Sequence, residues 1–349
     1  MAYQLVNKLR DLTPYDPISG EYQIRLDANE SYFQLSDGEI AKIQAEIAKI
    51  PFNRYPDPTC KVLTEKYAKA YNISPNLVTC GNGSDELINV ICGAFLENGM
   101  KILTFTSDFS MYKFYGDIAG CEVVSIQKDN DLAIKTDEVC EYLQNNKVDM
   151  VIFSNPCNPT SVGLAKEDVR KMIKSTDALF ILDEAYMDFW NETLLYEVEQ
   201  FDNLMILKTS SKSIGLAGIR LGFAVANKTL TTALRSAKSP YNMNSITQKI
   251  GEIIYSNPQS LKDKTDEIIK GTKQLYNDFC ILANKSEKIE KVYPTSTNFI
   301  FVKTDFATEI FEKLKEKSIV VRNFKQYLRI TCGSSEENAK LLFELEKIL

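Results

Sequence analysis

Thr209-Ser210-Ser211-Lys212-Ser213-Ile214-Gly215-Leu216-Ala217-Gly218-Ile219-Arg220-Leu221-Gly222 sets one amine among hydroxyls and glycines, with an arginine eight positions after the lysine. Small residues let backbone and hydroxyl groups approach a bulky anionic ligand. A lysine amine can form an imine with an aldehyde, and an arginine neutralises a phosphate. Pyridoxal 5'-phosphate (PLP) carries both groups and is the ligand this stretch suggests. Lys212 taken alone has a plainer reading, a solvated lysine in a turn. The rest of the chain decides between them.

With 349 residues the chain can bury a full core and has room for two domains or one large one. Hydrophobic residues at 44% and charged residues at 25% are the proportions of an ordinary soluble protein. A net charge of −6, with no block of Lys and Arg, argues against a nucleic-acid partner. No apolar run approaches a membrane span, and the first residues, MAYQLVNKLRDLTPYD, carry charges where a signal peptide has its apolar core. A cytoplasmic protein is expected, its eight scattered cysteines reduced. The chain contains no histidine, which removes Ser-His-Asp and Cys-His catalysis, His-ligated zinc and imidazole bases together. Acid-base work then falls to Lys, Tyr, Cys or a carboxylate. A lysine-imine enzyme satisfies this, because the amine freed from the imine can itself carry the proton.

Short aliphatic runs at 101–105, 121–126, 150–154, 178–183, 204–208 and 221–226 alternate with segments of helical period such as Leu87, Val90, Ile91, Ala94 and Phe95. Near-continuous apolar strands between amphipathic helices predict an α/β domain with a mainly parallel sheet covered on both faces. After about Asn257 a long charged helical region is followed by strand-like runs at 298–303, 319–322 and 328–331. This predicts a smaller α+β domain completed by the amino-terminal segment. The expected division is a large domain over 31–258, with 1–30 and 259–349 forming an amino-terminal arm and the small domain.

Three further stretches carry chemistry. Gly81-Asn82-Gly83-Ser84-Asp85-Glu86 opens the amphipathic helix. Glycines with a Ser/Asp pair at a helix start leave backbone N–H groups aimed at an incoming anion, a phosphate cradle if not simply a capped helix start. Asp183 closes the run at 178–183 and opens Asp183-Glu184-Ala185-Tyr186. A carboxylate at the carboxyl end of a buried strand lies where open α/β sheets bind ligands, and there it can pair with a protonated pyridine nitrogen or merely cap the next turn. Tyr186 could then reach the phenolic oxygen of the same ring. Asn155-Pro156-Cys157-Asn158-Pro159-Thr160 ends the strand before it, where two Asn-Pro steps impose extended or turn geometry and could present the Asn158 amide to a ligand.

In this order the segments GNGSDE, NPCNPT, LDEAY and TSSKSIGLAGIRLGF resemble the fold-type I, PLP-dependent aminotransferases of class I/II. Within that family, Leu12-Thr13-Pro14-Tyr15, Leu26-Asp27-Ala28-Asn29-Glu30, Arg54-Tyr55-Pro56-Asp57-Pro58 and Leu328-Arg329-Ile330-Thr331 are similar to segments of the histidinol-phosphate aminotransferases. The resemblance implies that Lys212 carries the cofactor as an imine and moves the catalytic proton. Asp183 would pair with the pyridine nitrogen, Asn158 and Tyr186 would hold the ring oxygen, and Phe109 would stack on the ring. Gly83, Ser84, Asp85, Ser211, Arg220 and Thr209 would surround the phosphate, Asp85 through its N–H only. Tyr55 would reach the phosphate of a second subunit, which implies a homodimer with shared sites. Tyr15, Asn29, Arg322 and Arg329 would bind substrate, the two guanidinium groups gripping a phosphate or carboxylate.

The implied reaction is amino-group exchange between glutamate/2-oxoglutarate and histidinol phosphate/imidazole acetol phosphate. An aromatic or broad-range aminotransferase, a phospho-amino-acid decarboxylase of related fold, and a catalytically silent ligand-binding protein are the competing readings. The chain departs from the family pattern at Phe109, often Tyr, and at Ser31-Tyr32, where Asn-Pro is common. At Ser161 the turn glycine of NPTG is missing or displaced to Gly163.

Overall fold

The computed structural model describes residues 3–10 and 17–349. Among the described residues twelve strands form two sheets: β1 (Ile24–Leu26), β2 (Val78–Gly81), β3 (Lys101–Phe105), β4 (Glu122–Ile126), β5 (Met150–Ser154), β6 (Leu179–Asp183), β7 (Leu204–Thr209), β8 (Gly222–Ala226), β9 (Lys291–Tyr293), β10 (Phe299–Lys303), β11 (Ile319–Asn323) and β12 (Tyr327–Thr331). The larger sheet has the order β2-β8-β7-β6-β5-β3-β4. Its neighbours are parallel except around β8, which runs antiparallel to both β2 and β7.

The apolar runs form this sheet because both of its faces are covered. Along β5 and β6, Val151, Phe153, Phe180 and Leu182 enter the core beneath helices Lys61–Tyr71, Thr136–Asn145 and Lys166–Lys174. Their alternates Met150, Ile152 and Ile181 enter the opposite core beneath helices Gly83–Phe95, Met111–Ala119 and Lys228–Ala237. Every residue of β5, β7 and β8 is buried, and each large apolar side chain contributes about 1.5–3 kcal/mol of transfer free energy.

The smaller sheet has the order β1-β11-β12-β10-β9. Its core of Ile300, Val302, Ile319, Val321, Leu328 and Ile330 lies against Leu275 and Phe279 of the long helix Pro258–Ala283, and against helices Ala307–Glu316 and Ser335–Ile348. Asn257 caps the long helix by accepting the Ser260 N–H, with Pro258 at its first turn, which is why the apolar pattern changes there. The β1 strand pairs in parallel with β11, with Leu26 opposite Val321, so the segment after it starts from the edge of the smaller sheet. Among the described residues no helix is long and apolar enough to cross a membrane.

Candidate active site

The register of the larger sheet brings the carboxyl ends of β2, β5, β6 and β7 and the amino end of β8 to one edge. Ser154 pairs with Asp183 across β5 and β6, and Asp183 with Leu207 across β6 and β7; Gly222 of β8 faces both Thr209 and Gly81. The loops that leave these ends carry the chemistry-bearing segments, as expected for a ligand site in an open α/β sheet. Ser84, Asp85, Phe109, Asn158, Asp183, Tyr186, Thr209, Ser211, Lys212 and Arg220 all line one cavity of about 370 Å³.

Lys212 is held by its loop. Ser210 N–H bonds to Leu221 O and Leu216 N–H to Ser210 O, both at 2.9 Å, closing the backbone around the lysine. Ser213 donates to Asp188, whose carboxylate also takes Lys208 Nζ at 2.6 Å and the Tyr71 hydroxyl at 3.1 Å on the far side of the loop. The Lys212 amine donates to Ala28 O at 2.9 Å and lies 5.8 Å from the centre of the Tyr186 ring. It therefore projects into the cavity between the strand ends and the amino-terminal segment.

Asp183 is 4% exposed. Its Oδ2 accepts from the Tyr112 hydroxyl at 2.8 Å and its Oδ1 from the Ala185 N–H at 3.0 Å. Burial pushes its carboxyl up to about 7; the two donors oppose this and Asp85 and Asp108 add to it. No cation is among these influences, so a cationic ring nitrogen placed here would relieve the burial penalty. Tyr112, fully buried on the first turn of helix Met111–Ala119, was missed in the sequence although it stands three residues after Phe109. The two rings meet edge to face at 5.5 Å.

At the opposite end of the cavity the groups are open to solvent. Arg220 adopts a left-handed backbone (φ 52), and its guanidinium faces Asp85 at 3.4 Å and Ser211 Oγ at 3.4 Å. The Arg220 and Asp85 side chains are 48% and 42% exposed, so the pair is weak and a phosphate dianion would displace the carboxylate. Gly83 does not line the cavity: at φ +80, a Cβ there would come within 2.6 Å of Arg220 Nη2, so glycine leaves room for the guanidinium. A Cβ on Gly222 would lie 2.5 Å from the Gly83 carbonyl carbon, so strand and cradle can touch only as glycines. Asn82 makes no side-chain cap to helix Gly83–Phe95, leaving first-turn N–H groups to an anion. These residues fit a phosphate at this end and a protonated ring at Asp183.

An adjoining cavity of about 780 Å³ shares Phe109, Asn158, Tyr186 and Lys212 with the first and adds Arg322, Arg329, Asn29, Phe301 and Tyr327. Arg322 and Arg329 are cross-strand partners on β11 and β12. Arg329 is 8% exposed and donates to Asn158 Oδ1 and Asp27 O, tying the smaller sheet to the strand-end loop. Asn29, expected to bind substrate, has its amide taken up within the protein: Nδ2 donates to the Tyr186 hydroxyl at 2.8 Å and Oδ1 accepts from Thr331 Oγ1 at 3.1 Å. Tyr15 lies outside the described residues. Tyr55 is 80% exposed, stacks on Tyr241 at 4.5 Å and is absent from both cavity linings. Of the two readings of the NPTG turn, a glycine missing or one displaced to Gly163, the structure favours the first. Ser161 itself takes the left-handed conformation (φ 64), and its hydroxyl donates to Pro294 O at 2.9 Å. Gly163 instead makes room for Trp190, whose ring a Cβ would approach to 2.3 Å.

The chain is similar to known proteins along nearly its whole length. Histidinol-phosphate aminotransferase of Clostridium novyi (strain NT) is 37% identical over 98% of this chain and 96% of its own. That of Caldanaerobacter subterraneus subsp. tengcongensis is 34% identical over 99% and 98%. A crystal structure of histidinol-phosphate aminotransferase from Sinorhizobium meliloti in complex with pyridoxal-5'-phosphate has the same fold, with a TM-score of 0.87 at 21% identity over 99% and 97% of the two chains. Residues 21–345 match the family described as aminotransferase class I and II, and the chain belongs to that family.

Proposed function

We propose that the protein is a PLP-dependent transaminase of histidine biosynthesis that exchanges an amino group between glutamate/2-oxoglutarate and histidinol phosphate/imidazole acetol phosphate. The observation that carries this reading is the single cavity in which the Lys212 amine, the buried Asp183 carboxylate and the Arg220 guanidinium converge. The relatives named above support histidinol phosphate as one substrate. PLP supplies an aldehyde that accepts amines and a pyridine ring that withdraws electrons from the substrate Cα.

The chain's own residues do the rest. Asp183 would hold the proton on the pyridine nitrogen, Asn158 and Tyr186 would orient the ring through its oxygen, and Phe109 would stack on it. Ser84, Asp85 through its N–H, Thr209, Ser211 and Arg220 bind the phosphate, with Gly83 giving the guanidinium its space. The Lys212 amine would hold the cofactor aldehyde and, once freed from it, would carry the proton to and from the substrate Cα. Arg322 and Arg329, with Asn29 behind Tyr186 and Tyr15 from the amino-terminal arm, select anionic substrates. Residues 31–258 form the cofactor domain, while 1–30 and 259–349 form the arm and small domain. Two such chains make a homodimer in which Tyr55 of each reaches the phosphate bound by the other. The eight free cysteines suit the cytoplasm.

A panel of amino donors and keto acceptors tests the reading, with glutamate and imidazole acetol phosphate beside aromatic amino acids and their keto acids. The expected preference is for the imidazole phosphate with glutamate. Turnover confined to the aromatic pairs would overturn the substrate assignment. Absence of a borohydride-reducible adduct on Lys212 in protein supplied with PLP would overturn the cofactor.

A further inference from the structure

Asp108 precedes Phe109 in the loop after β3, and 2% of its side chain is exposed. Its Oδ1 accepts three bonds: from Ser154 Oγ at 2.5 Å, from the Ser154 N–H at 3.3 Å and from the Phe109 N–H at 2.8 Å. Ser154 Oγ gives its proton to Asp108 and in turn accepts the Asn158 N–H at 3.1 Å. One carboxylate oxygen therefore joins the backbone of Phe109 to that of Asn158, from loops leaving two different strands. The other oxygen lies 3.5 Å from Lys128 Nζ, whose side chain is also 2% exposed. The ammonium further donates to Cys157 Sγ at 3.0 Å and Ser107 O at 3.3 Å, atoms of the same two loops.

Desolvating an ion pair this deeply offsets much of its attraction, and apolar packing would stabilise the fold as well. What an apolar pair would not supply is a fixed distance between two loops, set by several hydrogen bonds converging on one oxygen. We propose that Asp108, held by Lys128, is a positioning residue that fixes Phe109 and the Asn158 amide relative to one another and so sets how a PLP ring is gripped between them. The inference rests on the PLP reading above. Asp108 acts through Ser154 on Asn158 and through its own peptide neighbour on Phe109.

An amide donor on the cofactor's ring oxygen draws off electron density that the proton of the Lys212–cofactor imine shares. Displacing that amide leaves the imine more basic. The test is the pH midpoint of the visible absorbance of protein supplied with PLP. Asp108→Ala is expected to raise the midpoint by about one unit and to weaken PLP binding about tenfold. Asp108→Asn, which keeps an acceptor, should recover part of the shift. Ser154→Ala, which cuts only the arm to Asn158 and leaves the ion pair intact, should move the midpoint in the same direction by less; it serves alone if the Asp108 variants do not fold. In an Asn158→Ala background neither Asp108→Ala nor Ser154→Ala should move the midpoint further. Additive shifts in the double variants would overturn the proposal, as would a lowered unfolding temperature with an unmoved midpoint. A wild-type chain that forms no visible adduct with PLP would overturn the cofactor reading itself, a result distinct from additivity.

Discussion

The two ends of the cofactor cavity are built on opposite principles. At the ring end, Asp183 and Tyr186 are each 4% exposed and Tyr112 is fully buried, and every polar atom named there is held by another part of the chain. At the phosphate end, the Arg220 and Asp85 side chains are nearly half exposed. The dry end is set before any ligand arrives, and burial is the largest influence on the protonation of its carboxyl. The open end is a ring of donors whose weak internal pair a ligand can displace. Substitutions at the first should therefore change chemistry, and at the second retention.

The largest expected effect concerns Asp183 in the cofactor-free protein. Its folded-state carboxyl, at about 7 against an ordinary 3.8, holds a proton that the unfolded chain releases. The resulting stability is complete below pH 4 and is lost as pH rises to about 7, amounting to roughly 4 kcal/mol at about 1.4 kcal/mol per unit. Unfolding free energies of wild type and Asp183→Asn should therefore diverge between pH 4 and 7 and run parallel above it. A constant difference would mean that the ring end is wetter than its packing indicates.

With PLP and substrate present, Asp183→Asn should lower kcat roughly 100- to 1,000-fold while an adduct on Lys212 still forms. Near-normal kcat would erase the distinction between the two ends. Next, Arg329→Ala should cost roughly 10- to 150-fold in kcat/KM for anionic substrates, the worth of one charge-assisted hydrogen bond. Because Arg329 also holds Asn158, kcat should fall along with binding; a change confined to KM would detach it from the ring end. The smallest effect belongs to the open end, where Tyr55→Phe should weaken PLP retention by roughly tenfold with little change in saturated kcat. Mixing Tyr55→Phe chains with Lys212→Ala chains at limiting PLP should restore activity, since one intact site would form per mixed dimer. No gain despite proven exchange would remove Tyr55 from a partner's site.

Much of the larger sheet was legible because its strands are long, apolar and punctuated. The run at 150–154 became β5 without adjustment, and those at 178–183 and 221–226 shifted by one residue. The direction of β8 was not legible, since an apolar run buried on both faces records burial and not orientation. The short strands β1 and β9 carry only Ile-Arg-Leu and Lys-Val-Tyr, too little alternation to read. Ser84, Phe109, Asn158, Ser211 and Lys212 were readable because each follows a strand end in a stretch containing Gly, Ser or Asn, and Asp183 because it closes a buried strand. Their supports were not. Tyr112 reads as an ordinary helical aromatic and Lys128 as a solvated lysine after β4, and only the folded arrangement sets the first against Asp183 and the second against Asp108 and Cys157. Ser161 was opaque for a related reason: its left-handed turn is satisfied by Pro294, distant in sequence.

The parallel pairing of β1 with β11 bears on how the protein comes into being. The Gln23 N–H meets Ser318 Oγ across 295 positions of chain, so the amino-terminal segment has no partner strand until most of the polypeptide has left the ribosome. Contacts of such separation form late, after nearer ones have reduced the entropy of closing the loop. Yet that segment carries Ala28, the acceptor for the Lys212 amine, and Asn29, the partner of Tyr186. A nascent chain could thus complete its larger sheet and expose a reactive amine while the wall opposite was still missing. Newly made enzyme would acquire a closed site only on the arrival of β11, and cofactor loading during translation should lag behind folding of the larger sheet.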